Sequence, residues 1–176
     1  MKRAKKGRLL SAAMVLSMCS VTAFAEGDYG IQINHGTTNT WVTSGNAQDI
    51  LGDGTVSYDA DTNTLTLNNA DLAFENTGNS IIYVPNNKGL NLELFGTNIM
   101  QADQCIYVTG NLNITGDGSL EATGNTYAVS VSGNLTVDGA EVKASTAKSS
   151  GAGVQANGSI AIQNSAIVDA SSSGAW

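Results

Sequence analysis

The chain has 176 residues and a formal net charge of −7 at pH 7, and it contains 15 Asp and Glu against 8 Lys and Arg. Five of the basic residues lie within residues 2–8, so the rest of the chain is strongly acidic and its basic side chains, His35 apart, are all lysines. Such a charge repels phosphate backbones and excludes nucleic acid as a partner.

The first 25 residues have the three parts of a secretory signal peptide. Basic residues at 2–8 precede an apolar run over 9–21, and Ala23-Phe24-Ala25 forms a small-x-small cleavage site. The apolar run is shorter than the ~20 residues that a membrane-spanning helix needs. The sequence therefore predicts an exported protein, secreted or at the cell surface, whose mature chain has no membrane span. Cys105 is then its one cysteine, so no intramolecular disulfide forms.

Residues 26–62 do not fit the repeat that follows, and we expect them to form a β-rich N-terminal cap. The Ile31/Ile33 alternation predicts one strand, and Trp41 with Val42 predicts a second. Residues 44–52 are predicted to form one short helical turn. Residues 56–67 then read as a hairpin that leads into the first coil.

From residue 63 onward, a frame of alternating apolar residues recurs with starts at Asn63, Gly89, Gly110, Gly133 and Gly158. The successive spacings of 26, 21, 23 and 25 residues are typical of a solenoid. Each unit contains three apolar pairs with strand-like alternation, separated by turn residues. The sequence predicts an all-β fold, a parallel β-helix over residues 63–176 with three short strands per coil and about five coils.

The first apolar pair of each coil is expected to face the interior. We predict one internal row of stacked side chains: Leu65, Leu67, Leu92, Leu94, Leu112, Ile114, Leu135, Val137, Ile160 and Ile162. The last coil is incomplete, with two of its three strands. This favours a chain that is part of a longer protein; the alternative is that Trp176 and a partner close the open end.

The run from Asn46 to Leu72, followed by coils of the Gly-Asn-Leu-Thr-Val type, resembles secreted and surface β-helix proteins of Gram-positive gut bacteria. Those proteins are related in shape to pectate lyases. The resemblance implies a right-handed coil. Because some of these relatives are described as carbohydrate-binding domains, in certain cases with bound calcium, it also implies a polysaccharide, host glycan or cell-wall glycan as partner.

Three functions compete on this sequence. The first is a non-catalytic glycan-binding module, the second is a structural or adhesive stalk, and the third is a polysaccharide lyase or hydrolase. Lyases of this shape commonly use an arginine or lysine base beside calcium-binding aspartates, and no arginine follows residue 8. Hydrolysis needs two carboxylates at a set separation, and no cleft loop is predicted around outward acids such as Glu93 and Glu121.

The predicted glycan contacts lie in and after the third strand of the first two coils. Alternation directs Ile82 and Val84 inward and Tyr83 outward. Tyr107 occupies the same position one coil later, so we expect the two tyrosines side by side on strands about 4.8 Å apart. Sugar rings can lie on such aromatic faces, with hydrogen bonds from Asn86 and Asn87. The alternative is a cross-strand pair that only stabilises the sheet.

The predicted calcium ligands lie at acidic corners. Asp59, Asp61 and Asn63 begin like an EF-hand loop, although Thr64 stands where glycine is required. Asp117, between two glycines, is the fourth candidate. The alternative for both corners is a tight turn.

Overall fold

The computed structural model describes residues 27–148 and 150–173, and these residues form strands and turns without a helix. The predicted signal peptide lies outside the described residues, as does Trp176. The strands are β1 (Asp28–His35), β2 (Thr38–Thr43), β3 (Val56–Asp59), β4 (Thr64–Asn68), β5 (Asp71–Ala73), β6 (Ser80–Val84), β7 (Leu90–Phe95), β8 (Thr97–Val108), β9 (Leu112–Gly116), β10 (Ser119–Val131), β11 (Leu135–Asp138), β12 (Glu141–Thr146), β13 (Ala152–Ala156), β14 (Ile160–Gln163) and β15 (Ile167–Ser172).

The strands make two sheets that enclose one core. In the narrow sheet, β4, β7, β9, β11 and β14 stack in parallel, and β3 adds an antiparallel strand at one edge. In the broad sheet, β5, β6, β8, β10, β12, β13 and β15 stack in parallel, and β1 and β2 are added antiparallel. This parallel stacking of successive coils confirms the predicted β-helix, and the described residues contain four complete coils and two strands of a fifth.

The second and third strands of a coil are not always separate. In the two middle coils they merge into β8 and β10, which have 12 and 13 residues. The corner between them is a bend, where consecutive side chains such as Cys105 and Ile106 are both buried. A register shift between Gly124 and Tyr127 marks the bend in β10. Because the backbone ladder resumes beyond the bend, the second and third predicted strands of these coils are joined into one longer strand with a bend at the corner.

The stacking register of the second coil differs from the predicted one by two residues. Leu65 pairs with Leu92, as expected. Leu92 then pairs with Ile114, whereas Leu112 pairs with Leu90. The predicted residues therefore lie in three neighbouring rows: Leu65 stacks with Leu92 and Ile114, Leu67 stacks with Leu94, and Leu112 stacks with Leu90.

A glycine explains the shift. Leu94 pairs with Gly116, which has φ of +106°. A Cβ atom at Gly116 would lie 2.2 Å from the Leu94 carbonyl oxygen, so no other residue fits there without a shift of backbone. The third coil consequently turns at Gly116, whereas the second coil places the inward-facing Leu94 at the same position.

The predicted row is buried through the middle of the solenoid and exposed in its last coil. Ile114 is fully buried, whereas Ile160 and Ile162 are 50% and 51% exposed. Ile162 extends the row from Val137, and no described coil packs against its other side.

The Gly-Asn dipeptides at the coil starts have a structural reason. A Cβ atom at Gly110 would lie 2.5 Å from the Lys88 carbonyl carbon of the coil below. The next residue, Asn111, accepts a hydrogen bond from the Asn134 backbone N–H at 2.9 Å through Oδ1. Asn134 accepts one from Ser159 N–H in the same way, also at 2.9 Å. The dipeptide therefore permits close approach and links each coil to the next.

Before the first coil, the two predicted strands and the predicted hairpin are present as β1, β2 and β3–β4. The predicted helical turn over 44–52 forms only at its start. One turn forms, with Ala47 N–H donating to Thr43 O at 3.0 Å, but Ile50 N–H then bonds to Val56 O at 2.9 Å. The Asp49 carboxylate accepts hydrogen bonds from two later backbone N–H groups, which holds the segment as a loop.

Candidate functional site

The two predicted tyrosines lie side by side on the outer face of the broad sheet. Tyr83 of β6 pairs directly with Tyr107 of β8, and their ring centroids are 5.8 Å apart with an angle of 20° between the planes. Their neighbours Ile82 and Val84 are fully buried, which confirms the predicted alternation. Both residues are half-buried, so part of the stacked pair is open to solvent.

The row that contains these tyrosines continues in both directions. Toward later coils it passes through Ser130 and Gln155, as predicted. Toward the N-terminus it reaches Gln32, which pairs with Tyr83, and then Trp41, which pairs with Gln32. We call this set the aromatic row: Trp41, Gln32, Tyr83, Tyr107, Ser130 and Gln155.

Trp41 and Gln32 share the outer face with the tyrosines. Gln32 lies between the buried residues Ile31 and Ile33, and Trp41 precedes the buried Val42. Trp41 is 42% exposed, so its indole is available to a ligand. The sequence did not identify either residue as part of the site. Alternation shows which face of a strand a residue occupies, but it does not show which strand lies beside it in the sheet.

A polar groove runs beside the tyrosines at the start of β6. Its volume is about 410 Å³. The lining residues are uncharged and supply amide, hydroxyl and backbone groups: Gln32, Asn34, Gly78, Asn79, Ser80, Tyr83, Gln104 and Tyr107. Groups of this kind both donate and accept hydrogen bonds, which suits a ligand rich in hydroxyl groups.

Asn34 is the most deeply buried residue of the groove. Its side chain is only 1% exposed, and Nδ2 donates a hydrogen bond to Ser80 O at 2.6 Å. Its Oδ1 has no hydrogen-bond partner among the described residues. Ser80 Oγ donates in turn to Gln104 Oε1 at 3.2 Å. A buried acceptor without a partner costs about 1 to 3 kcal/mol, so a buried water that donates a hydrogen bond to this oxygen would be stabilising.

The structure places Asn86 and Asn87 away from the groove. They form the turn after β6 with φ of 62° and 56°, and both are exposed. The Asn87 backbone N–H donates to Thr109 Oγ1 at 2.8 Å. The groove lies at the start of β6, so these two side chains flank Tyr83 from the opposite end of the strand. Their predicted contacts with a glycan stay a prediction.

Three of the predicted calcium ligands lie together in the turn between β3 and β4. The Asp59 carboxylate accepts hydrogen bonds from Asp61 N–H at 2.9 Å and from Thr62 Oγ1 at 3.0 Å. Asn63 has φ of 53° and accepts a hydrogen bond from the Tyr58 hydroxyl at 2.9 Å. These bonds are those of a tight turn, so much of the oxygen set is already engaged.

The fourth candidate is far from the other three. Asp117 follows β9 at the C-terminal end of the narrow sheet, whereas the Asp59–Asn63 turn precedes β4 at its N-terminal end. At about 3.3 Å per residue, a strand of four or five residues separates the two corners by roughly 13 Å or more. Within 27–148 and 150–173, no three His, Cys, Asp or Glu side chains form a group able to hold a metal ion.

The resemblance to surface β-helix proteins of Gram-positive gut bacteria rests on the sequence motifs alone. No family model, curated protein or solved structure matches the chain. In the part of the chain that the structure describes, no helix is long and apolar enough to cross a membrane.

Proposed function

We propose that the protein is a non-catalytic, extracellular carbohydrate-binding module that holds a polysaccharide on the outer face of its broad sheet. The stacked Tyr83–Tyr107 pair carries this proposal, because the apolar face of a sugar ring packs against an exposed aromatic surface. The groove beside the pair supplies hydrogen-bonding groups for the hydroxyls of the same sugar. Export through the predicted signal peptide would bring this face into contact with plant, host or bacterial glycans.

Catalysis has less support from the arrangement of acids. Glu93 lies on β7 of the narrow sheet, whereas Glu121 lies on β10 of the broad sheet. A glycosidase places its two carboxyl groups on either side of one bond, about 5 to 10 Å apart. Glu121 is instead paired with Lys143 at 3.2 Å across neighbouring strands, which is an ordinary surface ion pair.

The second candidate function is a structural or adhesive stalk. A solenoid with regular coils sets length and spacing whether or not it binds a ligand. In that case the tyrosine pair would serve as a cross-strand contact within the sheet. The two functions differ in whether the wild-type protein is retained by a polysaccharide.

Affinity electrophoresis tests the proposal. The folded protein is run through gels that contain xylan, β-glucan, mannan, bacterial exopolysaccharide or polygalacturonate. We expect retardation in at least one gel relative to a polysaccharide-free gel, and no retardation of heat-unfolded protein. Equal mobility in every gel would contradict glycan binding and would favour the stalk.

A further inference from the structure

The aromatic row crosses from the solenoid into the strands that precede it. Trp41 belongs to β2, Gln32 to β1, Tyr83 to β6 and Tyr107 to β8, and each residue pairs with the next. Neighbouring strands lie about 4.8 Å apart, so Trp41 stands roughly 10 Å from Tyr83 and roughly 14 Å from Tyr107. Three aromatic side chains thus share one line on one face.

The line runs across the strands, along the axis of the solenoid. A ligand laid along a single strand would contact one member of the row. A linear ligand laid along the axis would contact Trp41 and both tyrosines, with Gln32 as a hydrogen-bonding group between them. The geometry therefore suits an extended polymer better than a single compact sugar.

The charge of this surface restricts the polymer. The aromatic row and the groove contain no Lys, Arg, Asp or Glu side chain. An anionic polymer would find no cation there to pair with its carboxylates, and the acidic chain as a whole would repel it.

We infer that Trp41 is a ligand-binding residue and that the ligand is a linear, uncharged polysaccharide that lies along the solenoid axis from Trp41 to Tyr107. This inference rests on the proposed function and extends it. It adds a contact surface outside the repeat and names the ligand class. It also requires that several consecutive sugar units bind together, because a short ligand cannot reach both ends of the row.

The test is titration calorimetry with ligands of increasing length. The probes are β-1,4-linked gluco-, xylo- and manno-oligosaccharides as disaccharides, tetrasaccharides and hexasaccharides, with oligogalacturonate as the charged comparator. We expect affinity to rise with length for at least one neutral series. Trp41→Ala should weaken hexasaccharide binding roughly three- to tenfold and leave disaccharide binding unchanged, and Trp41→Tyr should restore part of the loss.

Phe95→Ala is the matched control. Phe95 is 40% exposed and lies on the narrow sheet, so its loss removes a similar aromatic surface outside the row. Phe95→Ala should leave every affinity unchanged, and thermal melting should confirm that all three variants fold. Hexasaccharide binding equal in Trp41→Ala and wild type, or tighter binding of oligogalacturonate, would overturn the inference while glycan binding itself stood. Absence of binding to any probe, together with no retardation in the polysaccharide gels, would contradict the proposed function as well.

Discussion

Tyr83 and Tyr107 stack across two neighbouring parallel strands, with 5.8 Å between their ring centroids. Such a cross-strand aromatic pair contributes roughly 0.2 to 1 kcal/mol to stability. We expect Tyr83→Ala and Tyr107→Ala each to lower the free energy of unfolding by about that amount or slightly more, and the double variant to show a non-additive loss. Urea unfolding measures all three, and full additivity would show that the rings do not interact.

Two isoleucines of one stacked row provide a test of the register. Ile114 is fully buried in the middle of the solenoid, whereas Ile162 is 51% exposed in the last coil. We expect Ile114→Ala to cost about 2 to 4 kcal/mol of unfolding free energy, because it leaves a cavity. Ile162→Ala should cost roughly 1 kcal/mol or less. Similar losses in urea unfolding for the two variants would contradict the observed stacking.

Cys105 is expected to be unreactive in the folded protein. Burial raises the pKa of its thiol from 9.0 to about 12, and its Sγ lies 3.6 Å from Met100 O. The reactive thiolate is therefore scarce at pH 8, and iodoacetamide should modify Cys105 only after unfolding. Mass spectrometry of the peptide that contains Cys105 measures this. Rapid labelling under native conditions would contradict its buried position.

The same pKa predicts how stability depends on pH. Because the folded-state pKa is raised, the thiol's contribution to stability is fully present below about pH 9 and is lost as pH rises toward 12. The slope from this one group is at most about 1.4 kcal/mol per pH unit. Cys105→Ala should therefore lose less stability than the wild type over this range. If the free energy of unfolding falls equally with pH in the two proteins, the raised pKa of Cys105 is contradicted.

Calcium is expected to leave stability unchanged. The Asp59 carboxylate already accepts hydrogen bonds within its turn, and Asp117 lies at the opposite end of the narrow sheet. Ligands that bind only the folded state raise its melting temperature by mass action. Melting curves with millimolar calcium and with chelator should therefore coincide. A calcium-dependent rise in melting temperature that is absent from Asp59→Asn would instead support the predicted calcium site.

The strands, the burial of the apolar pairs and the parallel stacking could be predicted because alternation and turn residues are local signals. The register between the second and third coils could not be predicted. Leu90, Leu92 and Leu94 all alternate correctly, so three inward leucines compete for two positions in the next coil. The choice depends on the backbone contact between Leu94 and Gly116, which no local pattern contains.

The candidate site divides in the same way. Tyr83 and Tyr107 could be placed together because both occupy the third-strand position of consecutive repeats. Trp41, Gln32 and Asn34 could not, because β1 joins β6 in antiparallel orientation and outside the repeat. The distance of Trp41 from the tyrosines depends on a long-range strand pairing.

The proposed binding face is tested most directly by the affinity of tyrosine variants for a polysaccharide that retains the wild-type protein. Tyr83→Ala and Tyr107→Ala are compared with Phe95→Ala by titration calorimetry, with melting curves to confirm that each variant is folded. We predict that either tyrosine variant binds roughly tenfold more weakly and that Phe95→Ala binds like the wild type. Equal affinity in all four proteins would show that the tyrosine pair is structural and would contradict the proposed binding face.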